Sequence, residues 1–200
     1  MNMNEIQHHM ESNIIDIYNT YLEVYPITTP MAVGWSSPKT QEKRFKTLFD
    51  IGIADNSSLL DYGCGLGHLN DYIVNNNYND IDYTGIDINH KYIIHANQLY
   101  PTKKFICSDI FNIEDTFDYV IGSGVFTWYI EIDEVINKIE MAYNMCNKGV
   151  AFNFLDERSG LSPLNLYNPE DMIRRLSHIA KPELIQGYLE NEDFTIYLKK

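Results

Sequence analysis

The sequence predicts an α/β fold, a doubly wound, mixed sheet of seven strands with helices on both faces. From residue 57 onward, short apolar runs alternate with longer amphipathic stretches, a pattern typical of parallel strands joined by helices. Near the C-terminal end, the apolar runs 183–189 and 193–199 are separated by residues 190–192 alone. That link is too short for a parallel crossover. We therefore expect five parallel strands and an antiparallel hairpin at one edge.

Each element of the core has its own local signal. The five parallel strands are predicted at 58–63, 82–88, 104–110, 117–124 and 149–155. The helices between and after them are predicted at 67–76, 90–100, 132–147 and 168–179. In the third of these helices, Val135, Ile139 and Ala142 form the inward stripe. The fourth begins with Asn168 as its cap and Pro169 at the first helical position.

The first 56 residues predict a helical cap rather than a separate domain. Two helices are expected, at 6–24 and 36–52, with prolines between them and Ser37 capping the second. We interpret the chain, 1–200, as one domain made of an N-terminal helical cap (1–56) and a core (57–200). The cap is long enough to cover a pocket at the carboxyl edge of the sheet.

Composition excludes several classes of protein. The net charge of −13 repels phosphate backbones, so nucleic acid is not expected as a partner. The three cysteines show no zinc-type spacing, which favours reduced thiols and no metal site. No apolar run approaches the ~18–20 residues of a membrane span. These features, with no signal-peptide pattern at the N-terminus, predict a cytoplasmic protein that does not bind membranes.

A glycine-rich turn follows the first predicted strand. Gly63, Gly65 and Gly67 alternate with other residues directly after Asp61. Glycines at such a place let the backbone turn tightly and approach a ligand without a Cβ between them. A tight strand-to-helix turn that binds nothing is the alternative interpretation.

Acidic residues end three successive strands. Asp61, Asp87 and Asp109 are predicted at the carboxyl ends of the first three strands, beside the glycine turn. An acid in the position of Asp87 can accept hydrogen bonds from both hydroxyls of a ribose. Asp109 can accept one from an exocyclic adenine amine. Together these residues predict a site shaped for adenosine.

The motifs resemble those of class I S-adenosylmethionine-dependent methyltransferases over residues 57–200. The pattern G-x-G-x-G preceded by Asp61 resembles their motif I, "YTGIDI" their acidic second-strand segment, and "FICSDI" their motif II. "FDYVIGSGVF" resembles their fourth strand, and the final hairpin their sixth and seventh strands. The resemblance implies a Rossmann-like fold and S-adenosyl-L-methionine as the cofactor.

The resemblance also implies which residues bind the cofactor. Gly63, Cys64 and Gly65 would hold its methionine part, and Asp61 would orient its amino group. Asp87 would bind the ribose. The remaining members of the predicted cofactor-binding set are Ile88, Ser108, Asp109 and Ile110 towards the nucleoside, and Ser123 at the end of the fourth strand.

The segment "MAVGWSSPKTQEKRF" resembles small bacterial and phage-type methyltransferases of unassigned substrate. It implies that Trp35 or Arg44 approaches the methionine end, with Arg44 as a partner for the cofactor's carboxylate. An Arg44 that instead pairs with a nearby acid of the protein is the alternative.

The predicted reaction is methyl transfer to N or O of a small-molecule acceptor, because the fourth strand is followed by neither the proline motif of DNA amino-methyltransferases nor an acid for magnesium. A peptide or protein acceptor stays open, as do a nicotinamide-binding oxidoreductase and a non-catalytic cofactor-binding module. No residue is assigned as catalytic, and the oligomeric state is not predicted. Candidate bases, by location only, are His8, His9, Tyr129 and Glu131. Phe126, Trp128 and Tyr129 are predicted either to line the acceptor pocket or to pack in the core.

Overall fold

The structure is a computed structural model that describes residues 3–128 and 130–200, with side chains from residue 12 onward. The side chains of His8 and His9, two candidate bases, lie outside the described residues, as does all of Tyr129.

The sheet has seven strands in the order β3-β2-β1-β4-β5-β7-β6. Their bounds are Ser58–Tyr62 (β1), Asp82–Asp87 (β2), Lys104–Cys107 (β3), Phe117–Gly122 (β4), Cys146–Leu155 (β5), Pro182–Gly187 (β6) and Glu190–Lys199 (β7). Strands β1 to β5 pair in parallel, whereas β7 pairs antiparallel with both β5 and β6. The predicted mixed sheet with a C-terminal hairpin is confirmed.

In the described part of the chain, six α-helices accompany the sheet, with the bounds Met3–Val24 (α1), Pro38–Phe49 (α2), Leu69–Asn75 (α3), His90–Leu99 (α4), Ile132–Met145 (α5) and Pro169–Leu176 (α6). Caps set two of the starts as predicted: the side chain of Ser37 accepts from the N–H of Thr40, and that of Asn168 accepts from the N–H of Asp171. A proline occupies the first turn of each of these two helices.

Strands β3 and β4 end earlier than the sequence indicated, by three and two residues. Strand β3 stops at Cys107 rather than at 110, because Asp109 caps a 3₁₀ turn at Ile110–Asn112. Strand β4 stops at Gly122, since Gly124 adopts a left-handed backbone with φ of +72°. Both corrections move polar residues out of the strands and into the loops at the carboxyl edge.

The core packs on both faces of the sheet. Helix α5 buries Val135, Ile139 and Ala142 against one face, as its pattern predicted. Helices α2 and α3 cover the other face, where Leu48, Phe49 and Leu69 are among the buried residues. No helix among the described residues combines the length and apolar character that a membrane span requires. The candidate site lies at the carboxyl ends of β1, β2 and β4.

Candidate active site

The glycine turn after β1 is tied to the end of β2. The backbone N–H groups of Gly63 and Cys64 both donate to the carbonyl oxygen of Ile86, at 2.8 and 2.9 Å. Gly63 and Gly65 have φ of +73° and +54°, the left-handed region that side chains with a Cβ adopt only under strain. The predicted backbone turn is therefore present at the wall of a large cavity.

Asp87 joins this turn to the carboxyl end of β2. One carboxylate oxygen accepts from the N–H of Gly65 at 2.9 Å, and the other accepts from the N–H of Asn89 at 2.8 Å. A carboxylate oxygen has more than one acceptor position, so both retain capacity for ligand hydroxyls. Asp87 lines the cavity, and so does the neighbouring Ile88. Burial in the cavity wall raises the pKa of Asp87 to about 6.

Asp61 lies behind the turn and is held by a tyrosine that sequence reasoning left unassigned. The hydroxyl of Tyr83 donates to the Asp61 carboxylate at 2.8 Å. Gly85 makes room for this pair, because a Cβ there would lie 2.8 Å from the Tyr83 hydroxyl. Burial raises the pKa of Asp61 to about 7, and the nearby charge of Asp87 raises it further, against the Tyr83 hydrogen bond.

The raised pKa values predict that cofactor affinity depends on pH. The cofactor's amino group is a cation and is held best by ionised carboxylates. Because the pKa of Asp61 is about 7, only about a tenth of it is ionised at pH 6. Titration calorimetry should therefore show S-adenosylhomocysteine binding about tenfold more weakly at pH 6 than at pH 8. Asp61→Asn should make the affinity nearly independent of pH. Asp82→Asn, at the exposed start of the neighbouring strand β2, should leave the pH dependence unchanged.

Protonation of Asp61 and Asp87 stabilises the fold, although it weakens binding of the cofactor. Asp61 and Asp87 have folded pKa values above their ordinary 3.8, so the folded protein holds protons that the unfolded chain releases. Their contribution to the unfolding free energy is fully present below pH 3.8 and is lost as the pH rises through about 6 to 7.

An affinity for S-adenosylhomocysteine that does not change between pH 6 and pH 8 would contradict the predicted role of Asp61 in binding the amino group.

An ion pair lies where the sequence predicts that the adenine of the cofactor binds. Asp109 lines the cavity, and one of its carboxylate oxygens accepts from Lys138 at 2.5 Å. Lys138 is almost fully buried and lies 4.9 Å from the ring centre of Phe111. Asp109 therefore retains acceptor capacity but shares it with a lysine that sequence reasoning missed.

Two residues predicted beside Asp109 do not reach the cavity wall. The hydroxyl of Ser108 donates to the backbone carbonyl of Asp109 at 3.0 Å, and Ile110 is fully buried in the main core. Neither side chain lines the cavity. The structure thus brings together Asp61, Gly63, Cys64, Gly65, Asp87, Ile88, Asp109, Ser123 and Trp35, all of which line it.

The end of β4 presents a polar atom without a partner. The hydroxyl oxygen of Ser123 is buried and has no hydrogen bond among the described residues, although it lies in the cavity wall. An unsatisfied buried hydroxyl costs about 1–3 kcal/mol, which a bound polar ligand would recover. This orphan hydroxyl, the Cβ-free cradle at Gly63 and Gly65, and the acids opposite fit a nucleoside with an amino-acid tail. The described residues contain no group of acids, histidines and cysteines that could hold a metal ion.

Helix α1 of the N-terminal segment contributes to the wall of the cavity. Ile14, Ile15, Tyr18 and Tyr21 of α1 line the cavity. The cap is fixed by polar contacts to the core: Tyr92 donates to the carbonyl of Ala32 at 2.7 Å. On the other side, His68 lies 2.7 Å from the carbonyl of Ile27. Burial lowers the pKa of His68, which favours its neutral form at neutral pH.

Arg44 is not placed as the resemblance implied. Its guanidinium binds the buried carboxylate of Asp193 and does not line the cavity, so the predicted contact with the cofactor's carboxylate is replaced by an internal ion pair. This outcome matches the alternative in which Arg44 pairs with an acid, although the residue is buried rather than exposed. Trp35 does line the cavity.

The aromatic residues after β4 are predicted either to line the acceptor pocket or to pack in the core. Phe126 lines the cavity, but it is 2% exposed and also packs in the core on the rings of Tyr62, Phe152 and Phe154. Trp128 lines the cavity, and its ring meets Tyr18 edge to face at 6.4 Å. Glu131, the candidate base that is described, also lines the cavity.

Comparison with known proteins agrees with this geometry. Residues 60–149 match a family described as a methyltransferase domain, Methyltransf_12. Over 126 residues the chain is 29% identical to "Putative methyltransferase Rv1506c" of Mycobacterium tuberculosis, an alignment that covers 57% of this chain and 72% of that protein.

Solved structures share the fold at low sequence identity. The PH0226 protein of Pyrococcus horikoshii superimposes with a TM-score of 0.71 and 15% identity, covering 90% of this chain and 98% of that one. The N-methyltransferase NodS of Bradyrhizobium japonicum, solved with S-adenosylhomocysteine, gives 0.63 and 16%, covering 82% and 89%. Magnesium protoporphyrin IX methyltransferase of Synechocystis, solved with S-adenosylmethionine, gives 0.62 and 15%, covering 81% and 79%.

The matched region, 60–149, contains the glycine turn, Asp87 and Asp109. Two of the structures that share the fold contain S-adenosylmethionine or S-adenosylhomocysteine, which favours this cofactor over a nicotinamide. By its matched region and its fold, the chain is therefore similar to the class I, Rossmann-like S-adenosylmethionine-dependent methyltransferases.

Proposed function

We propose that the protein transfers a methyl group from S-adenosylmethionine to a nitrogen or oxygen atom of a small molecule with an apolar body. The observation that carries the proposal is one cavity of about 980 Å³, which extends from the glycine turn to Trp128 and the roof formed by α1. Pockets for small ligands span about 300–1,000 Å³. The volume supports a site that accommodates a nucleoside cofactor and a modest second molecule.

The cofactor supplies a methyl group that is already activated on a sulfonium. The chain's own residues then mainly bind and orient. We assign Asp87 to the ribose hydroxyls, Asp61 to the amino group and Asp109 to the adenine amine, as the sequence predicted. The roof of α1 residues excludes water from the reacting atoms, and positioning of this kind accounts for much of the rate in such reactions.

Charge in the cavity favours a neutral or cationic acceptor. Its described lining contains six acidic residues: Asp61, Asp87, Asp109, Glu131, Asp133 and Glu134. The basic residues in that lining are Lys138, which is paired with Asp109, and His68, whose pKa is lowered. A carboxylate or phosphate on the acceptor would therefore find little compensation here.

The outer walls support an apolar acceptor. Three aromatic residues, Tyr18, Tyr21 and Trp128, line the cavity, and so does the segment 162–164 of the loop that follows β5. Aromatic side chains of this kind pack against flat apolar bodies and also hold amines through their π faces. Proteins that share the fold include a magnesium protoporphyrin IX methyltransferase and a plantazolicin methyltransferase solved with a desmethyl analogue, so they support a range of acceptor sizes and not one compound.

Methyl transfer from labelled S-adenosylmethionine should test the proposal on matched acceptors that share one ring system. We expect turnover with apolar amines or phenols and at least tenfold less with the corresponding carboxylates. Trp128→Ala should raise the acceptor KM about tenfold by removing the aromatic wall, with a smaller change in the affinity for S-adenosylhomocysteine. Ile94→Ala, an exposed residue outside the cavity, is the matched control.

Three results would count against the proposal. Exclusive transfer to oligonucleotides or to folded proteins would contradict a small acceptor. Preference for the carboxylates would contradict the charge argument. Tight cofactor binding without transfer to any member of a broad panel would favour the non-catalytic module.

A further inference from the structure

A buried ion pair lies behind the wall of the cavity at the end of β4. Arg44 of α2 and Asp193 of β7 are 3% and 2% exposed. The guanidinium Nε donates to one carboxylate oxygen at 2.5 Å, and Nη2 donates to the other at 2.7 Å. The third nitrogen, Nη1, donates to the backbone carbonyl of Thr40 at 3.3 Å. All three nitrogens are thus engaged inside the protein.

Stability alone does not account for such a pair. Removing two charges from water costs several kcal/mol per ion, and well-packed apolar residues often stabilise a fold as well or better. A two-point contact does, however, fix the plane of a guanidinium in a way that a lysine cannot. The fixed plane of the Arg44 guanidinium therefore indicates which neighbouring side chain the ion pair positions.

The fixed guanidinium lies on the indole of Trp35. Its central carbon is 4.3 Å from the centre of the ring, within the range of a cation–π contact. The six-membered part of the same indole contacts the backbone of Gly124. A Cβ added to Gly124 would lie 2.6 and 2.8 Å from two indole carbons, closer than real side chains approach. Trp35 is thus clamped between Arg44 and the loop after β4.

That loop carries the groups nearest to the reaction in the proposed function. Gly124 follows Ser123, whose hydroxyl is the unpartnered polar atom in the cavity wall, and Trp35 lines the same cavity. A side chain held here bounds the space between the predicted methionine end of the cofactor and the acceptor. Displacement of such a wall by about 1 Å can cost roughly 100-fold in rate.

We propose that Arg44 and Asp193 are positioning residues that fix Trp35 against Gly124, so that the indole shapes the cavity where the methyl donor and acceptor meet. Arg44 acts through Trp35 and does not bind the ligand itself. The inference rests on the proposed function for the identity of the ligands, but the clamp is a property of the described side chains.

A double-mutant cycle measured with S-adenosylhomocysteine tests this coupling. Trp35→Leu and Arg44→Met should each weaken binding about tenfold. In the Trp35→Leu background, Arg44→Met should have less than a twofold further effect, because the residue that it positions is gone. Equal losses in both backgrounds would show a direct contact between Arg44 and the ligand, and no loss in the wild-type background would also overturn the proposal.

Tryptophan fluorescence gives a readout that a merely structural role would not produce. The chain has two tryptophans, so a Trp128→Phe background reports on Trp35 alone. Arg44→Met should increase quenching of Trp35 by acrylamide about twofold and shift its emission to the red. Unchanged Trp35 fluorescence alongside weakened ligand binding would contradict positioning through the indole.

Matched variants keep the experiment decisive. Lys46→Met removes an exposed ion pair from the same helix and should change neither readout. Asp193→Asn keeps the shape of its side chain and should reproduce the effect of Arg44→Met. If circular dichroism shows Arg44→Met to be unfolded, Arg44→Lys replaces it, since it keeps the charge without the planar face. Failure to find any methyl acceptor would overturn the proposed function and leave the cycle and the fluorescence unaffected.

Discussion

Asp87→Ala should reduce the affinity for S-adenosylmethionine and S-adenosylhomocysteine by about 100-fold, which corresponds to about 2.8 kcal/mol. The substitution removes the proposed acceptor for the ribose hydroxyls. It also leaves the N–H groups of Gly65 and Asn89 without the oxygens that they bind at 2.9 and 2.8 Å. Isothermal titration with S-adenosylhomocysteine measures the loss. Asp82→Ala, at the exposed opposite end of the same strand, should bind like the wild type.

The two contributions of Asp87 can be separated with a modified ligand. A 2′-deoxy analogue of S-adenosylhomocysteine should bind the wild-type protein more weakly than the parent compound. The Asp87→Ala variant should scarcely distinguish the two, because the group that contacts the missing hydroxyl is already absent. A variant that discriminates between them as well as the wild type does would place the ribose elsewhere, and unchanged affinity for the parent compound would overturn the site.

Gly63→Ala should both destabilise the fold and impair binding. Gly63 has φ of +73°, and a Cβ would lie 2.8 Å from a methyl group of Val125. The left-handed backbone costs about 1–2 kcal/mol for a residue with a side chain. Overpacking against Val125 adds roughly 1–3 kcal/mol. Urea denaturation should therefore show a loss of about 2–5 kcal/mol in the free energy of unfolding, and the affinity for S-adenosylhomocysteine should fall at least tenfold.

Gly187 provides a control for backbone strain alone. It has φ of +83°, but nothing lies within 4 Å of the position that its Cβ would take. Gly187→Ala should therefore cost about 1–2 kcal/mol and leave the affinity unchanged. Adding Val125→Ala to Gly63→Ala should recover part of the lost stability by relieving the contact. Equal effects of Gly63→Ala and Gly187→Ala on binding would contradict a cradle at the glycine turn.

Local signals predicted the sheet and the turn well. Apolar periodicity located the strands, and the short link between the last two required an antiparallel hairpin, although this link lies at 188–189 rather than at the predicted 190–192. The side chains of Asp61 and Asp87 converge on the glycine turn because parallel strands bring their carboxyl ends to one edge. Because each of these acids ends a strand, its position in the sequence indicates that the two lie close together in the fold.

Contacts between distant segments could not be predicted in this way. Arg44 and Asp193 are separated by 149 residues, and no local pattern indicates that the two side chains meet. Lys138 offered a weak signal, since it directly precedes the inward-facing Ile139 of α5, but its partner Asp109 lies on another element. Tyr83 belongs to the "YTGIDI" segment, yet its hydrogen bond to Asp61 depends on the pairing of β1 with β2.

The roles of Ser108 and Ile110 illustrate a second limit. Both follow β3 and match the motif by position, but the 3₁₀ turn capped by Asp109 directs Ile110 into the core. A motif locates a loop, whereas the side chain that reaches the ligand depends on backbone angles that the motif does not encode.

A crystal structure of the protein with S-adenosylhomocysteine tests the central claim most directly. We expect the amino-acid tail beside Gly63 and Gly65, the ribose hydroxyls on the two oxygens of Asp87, and the adenine near Asp109. A ligand bound in another part of the molecule, or one whose sugar makes no contact with Asp87, would contradict the site proposed for this protein.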